Sequence, residues 1–108
     1  MGLDMFLVGK VEDKEIELGY WRKHPDLHGY IVQTFAEGVD ECQQIPLTFF
    51  DLEKILDATQ RNCLPFTDGF FFGKSEMDDK APTIEILNKA LDWLAKTKGA
   101  SVYYRASW

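Results

Sequence analysis

The stretch LDMFLVGKVEDKEIELGY, residues 3–20, decides the fold. In an extended chain Leu3, Met5 and Leu7 fall on one face, and Phe6 and Val8 on the other. Leu3 to Val8 therefore reads as a strand that is apolar on both sides, which belongs in the middle of a sheet. The charged run Glu12-Asp13-Lys14-Glu15 reads as a turn. Ile16, Leu18 and Tyr20 then alternate with Glu15, Glu17 and Gly19, the pattern of a half-buried strand with its apolar residues inward. The two segments form a hairpin.

Working outward, His24-Pro25-Asp26 opens a helix over 25–37. Proline is tolerated at the first helical position, and an acidic residue there complements the positive end of the helix dipole. Leu27, Tyr30, Ile31, Thr34 and Phe35 share one face of it, and Gly38 ends it. Cys42 to Leu47 is extended. Pro46 cannot donate to a ladder and confines the segment to an edge or a connector. Thr48 followed three residues later by Asp51 predicts a capped helix over 48–62, with Leu47 and Leu52 as a hydrophobic staple. Its buried stripe is Phe49, Leu52, Ile55, Leu56 and Thr59.

The segment 64–79 is irregular, with Phe70 to Phe72 expected to be extended. A third helix is predicted over 82–98. Ile84, Leu87, Leu91, Leu94 and Ala95 form its stripe, widened by Ile86, Ala90 and Trp93, and Gly99 stops it. Leu87, Leu91 and Leu94 are expected against the sheet. Ala100 to Arg105 is a last strand. Strands and helices do not alternate as βαβ units. The expected class is therefore α+β: a mainly antiparallel sheet of about four strands with three helices packed on it, in a single domain 1–108.

The formal charge of −6 disfavours general nucleic-acid binding, because that affinity rests on phosphate neutralisation by Lys and Arg. Two cysteines, Cys42 and Cys63, are too few for a disulfide framework. No apolar run approaches the ~20 residues of a membrane span. The opening residues lack the pattern of a signal peptide, so the expected setting is the cytoplasm, with no membrane partner.

The densest polar and aromatic cluster is Tyr20-Trp21-Arg22-Lys23-His24, with His28 one turn on. A planar Trp for stacking, two cations for an anion and an imidazole that titrates near neutrality make it the candidate binding site. Trp21, Arg22 and His28 are expected close together, with His28 at the border of the apolar face. The competing reading is a strand end with a core Trp and a solvated basic turn. His24 and His28 have the i, i+4 spacing of metal ligands, but Pro25 makes His24 a cap residue, and no metal is expected. Cys42, His28 and Asp40 are residue types that a thiol hydrolase uses, without a local signature for one. Gly69 to Gly73 superficially matches the aromatic motif of an RNA-binding sheet but lacks its basic and valine positions. Alternation there leaves Phe71 free to meet a partner. Glu76, Asp78 and Asp79 lack the spacing and glycine of a calcium loop. No cofactor and no catalytic residue are expected.

Several blocks carry a resemblance: Met1-Gly2-Leu3-Asp4-Met5, Gly19-Tyr20-Trp21-Arg22-Lys23, His28, Asp40-Glu41-Cys42, Gly69-Phe70-Phe71-Phe72-Gly73, Tyr103-Tyr104 and Ser107-Trp108. Along nearly its whole length the chain resembles a group of short uncharacterised proteins carried by bacteriophages and prophages. It departs from the group at His24-Pro25-Asp26, where the group has a run without proline, and in its short acidic stretch Glu76 to Asp79. The resemblance implies an origin and a setting, the bacterial host cell, rather than an activity. Together these readings predict a non-catalytic protein-interaction module that binds a host or phage protein, with inhibition of a host system as the role that suits such an origin. The alternative is a small-ligand protein or minor enzyme, with Trp21, Arg22, Lys23 and His28 holding an anionic or nucleotide-like group.

Overall fold

A computed structural model describes residues 3–22, 24–38, 43–61, 64 and 80–107. In chain order the elements are β1 (Asp4–Val11), β2 (Lys14–Arg22), α1 (Pro25–Phe35), β3 (Ile45–Leu47), α2 (Phe49–Gln60), α3 (Lys80–Lys96) and β4 (Ala100–Ser107). Among the described residues the strands form one four-stranded sheet in the order β2-β1-β4-β3, with every neighbouring pair antiparallel. The α+β reading therefore holds, and β1 is central, as its two apolar faces require. β3 is an edge strand with Pro46 in it. Phe70 to Phe72, Cys42, Cys63 and Asp40 lie outside the described residues.

β1 and β2 join through the tight turn Glu12-Asp13, with Glu12 at a φ of 55°. The pairing slips by one residue midway. Leu7 faces Gly19 but Val8 faces Glu17, so Leu18 is the extra residue of a β-bulge. A one-residue slip sends every later side chain to the other face. Beyond the bulge Gly19 and Trp21 point inward, and Tyr20 is 45% exposed. This corrects the expectation that Ile16, Leu18 and Tyr20 share a buried face: Ile16 is largely exposed and Leu18 is half-buried.

The helices cover the face that carries Leu3, Met5, Leu7, Trp21, Val102, Tyr104 and Ala106, and the core lies between them. α1 begins at His24 as N-cap with Pro25 next, as read. The α2 cap is a complete capping box: Asp51 N–H donates to Thr48 Oγ1 at 3.1 Å and Thr48 N–H to Asp51 Oδ2 at 2.9 Å. Leu47 and Leu52, the staple pair, are both buried.

α3 sits differently from its expected stripe. Thr83, Leu87 and Ala90 are buried, Leu91 and Leu94 are half-buried, and Ala95 is exposed. The reason is a close approach to the hairpin. A Cβ on Gly19 would stand 2.2 Å from Ile86 Cγ2, and one on Gly9 would stand 2.7 Å from the Trp93 ring. Two glycines on neighbouring strands thus make a bed for Ile86 and Trp93, and the helix turns that side toward the sheet.

Candidate functional site

Strand alternation divides the cluster expected at residues 20–28 between the two faces of the sheet, and the bulge at Leu18 sets which residues point inward. Trp21 enters the core and is 5% exposed, and its Nε1–H donates to Thr83 Oγ1 at 2.8 Å. His28 is 2% exposed, inside the core rather than at its border, and its Nδ1 shares a 2.6 Å hydrogen bond with the Tyr104 hydroxyl. His24 is buried as well. The stacking face and imidazole expected at the surface are therefore enclosed. Burying an indole N–H or an imidazole without a partner is costly, and Thr83 and Tyr104 supply those partners. Tyr20 and Arg22 lie on the opposite face, which no helix among the described residues covers. Lys23 and Phe71 lie outside the described residues.

That open face is organised by strand pairing, since directly opposite residues share a side of the sheet. One row is Arg22, Asp4 and Ser107, and the next is Tyr20, Phe6 and Arg105. Then come Glu17, Val8 and Tyr103, and last Glu15, Lys10 and Ser101. The Tyr20 hydroxyl donates to Asp4 Oδ1 at 2.7 Å, and the Phe6 and Tyr20 ring centroids are 5.2 Å apart. The Arg105 guanidinium lies 5.5 Å from the centre of the Phe6 ring, a cation–π contact. Tyr103 donates to the Glu15 carboxylate, which carries its ring across β1 over Val8. A depression of about 450 Å³ is lined by Asp4, Phe6, Arg105, Ala106 and Ser107.

The phenols of exposed Tyr20 and half-buried Tyr103 both titrate above their ordinary range. For Tyr20 the main cause is the hydrogen bond to Asp4, and for Tyr103 the bond to Glu15, because each carboxylate is better served by a protonated hydroxyl. At neutral pH both therefore remain donors. Among the described residues neither Arg22 nor Arg105 is paired with a carboxylate, whereas Arg61 pairs with Asp57 at 3.0 Å and Lys96 with Asp92 at 3.0 Å. The open face thus combines aromatic rings with guanidinium groups that have donors to spare.

Reading the sequence alone did not bring Phe6, Arg105 or Asp4 into the site. They join Tyr20 and Arg22 only through the pairing of β1 with β4, a contact between the two ends of the chain. One local signal was present: a glycine inside a strand marks a bulge or a close approach, and Gly19 does so. Among the described residues no three His, Cys, Asp or Glu side chains converge as metal ligands do, and no helix is long and apolar enough to cross a membrane. Comparison with protein-family models, with curated proteins and with solved structures finds no match to this chain.

Proposed function

We propose that this chain is a non-catalytic interaction module, of the phage or prophage type that its sequence resembles, and that it docks a host or phage protein on the open face of its sheet. The observation that supports this most is the convergence of Phe6, Tyr20, Arg22 and Arg105 on one face of the sheet that no helix among the described residues covers. Tyr and Arg are enriched at the centres of protein interfaces, where flat rings and forked donors give much contact for little lost freedom. The buried imidazole and indole that a small-ligand site would use are engaged with Tyr104 and Thr83 instead. Occupying a partner's surface in the bacterial cytoplasm, and so inhibiting a host system, is the role that suits such a module.

Arg22→Ala tests this reading. The variant is expected to lose a partner that the wild-type chain retains from bacterial lysate, while its stability stays within about 0.5 kcal/mol, as for other surface substitutions. Retention of the same partner by Arg22→Ala and by Arg105→Ala would overturn it. A strong thermal shift with one nucleotide, and no retained protein, would favour the small-ligand alternative.

A further inference from the structure

We infer that the open sheet face also binds a second copy of this chain, face to face about a two-fold axis that runs across the strands. The inference rests on reading that face as the docking surface, and it follows from the order of the four rows. Such an axis, placed midway along the face, lays the first row over the last and the second over the third. Arg22 then meets Glu15 of the other copy, and Asp4 meets Lys10. Phe6 and Arg105 then lie over the Tyr103 ring that covers Val8, each contact occurring twice. Opposite charges, apolar groups, and a cation with a ring are all matched, as an isologous interface requires. An axis along the strands through β1 would set Asp4 over Asp4 and Lys10 over Lys10, and would leave Arg22 and Glu15 over serines, so the charges select the first arrangement.

The geometry suits sheet-on-sheet packing, in which two sheets lie about 10 Å apart with strand directions within about 30°. Strand spacing and rise over the three strands that carry the rows give roughly 400 Å² of face per copy, so the pair buries roughly 800 Å² in total, below the standard size of specific interfaces. Self-association is therefore weak, and a partner with more surface displaces the second copy.

Sedimentation equilibrium on the purified chain, over a concentration series reaching the high micromolar range, tests this. The mass is expected to rise from 12.5 kDa toward twice that value, and to rise less in high salt. Arg22→Glu and Glu15→Arg should each weaken the dimer by about tenfold or more, since each sets like charges opposite one another at two symmetric places. Mixing the two variants should restore it, because both contacts are then attractive, and restoration also shows that each variant is folded. A wild-type chain that stays at 12.5 kDa throughout, or a mixture no tighter than either variant alone, would overturn the inference. Either result leaves the partner-binding test with Arg22→Ala standing separately.

Discussion

At the scale of single residues, Gly19 decides most. It sits beside the bulge that turns Trp21 inward and Tyr20 outward, and it lets Ile86 of α3 rest on the strand. Gly19→Ala would force its new methyl into Ile86 Cγ2, whose β-branched side chain has few rotamers to escape into. The expected loss is about 1–3 kcal/mol, as for an overpacked core, read as a lower midpoint in urea unfolding. Adding Ile86→Ala should recover part of it, because the two sites are coupled. Tyr20 offers a pH test. Its folded pKa is raised, so its bond to Asp4 contributes stability below the unfolded value of 10.0, and that contribution is lost as pH rises through the folded pKa. Near-ultraviolet titration should show a phenol that ionises above 10.0 and falls back toward it in Asp4→Asn. The sequence showed Gly19 plainly, yet its role was hidden, because Ile16, Leu18 and Tyr20 keep an unbroken period of two. A bulge changes which residues oppose one another and leaves the spacing along the strand as it was.

Among the elements, the ones governed by local chemistry were legible. The α2 cap, the proline start of α1 and the edge position of β3 each follow from a few adjacent residues, and each is found in place. The rotation of α3 was not legible, because it depends on glycines in strands far away in the chain. The apolar residues of α3 form a band wider than the face it buries, so periodicity alone admits several orientations. Leu87→Ala should cost about 2–5 kcal/mol through lost transfer energy and a residual cavity. Leu91→Ala should cost distinctly less, since Leu91 is only half-buried. Equal losses in urea unfolding would show that the helix faces the sheet as its sequence stripe suggests rather than as its glycine bed dictates.

For the whole molecule, the sheet is a partition. On one side the helices enclose the core, with the polar atoms of His28 and Trp21 paired inside it. On the other side β1, β2 and β4 present rings, guanidinium groups and carboxylates in ordered rows. Two residues of the candidate site, Tyr20 and Arg22, could be read in the sequence, because they stand in a conspicuous block. The other three, Phe6, Asp4 and Arg105, could not, since only long-range pairing makes them neighbours. The central claim is that recognition takes place on the helix-free face. Backbone amide shifts, followed by NMR as the concentration of the chain and then of a retained partner is raised, test it most directly. The account predicts shifts concentrated at Asp4, Phe6, Tyr20, Arg22 and Arg105, with α1 to α3 unmoved. Shifts confined to the exposed sides of the helices, with those five amides unchanged, would contradict it.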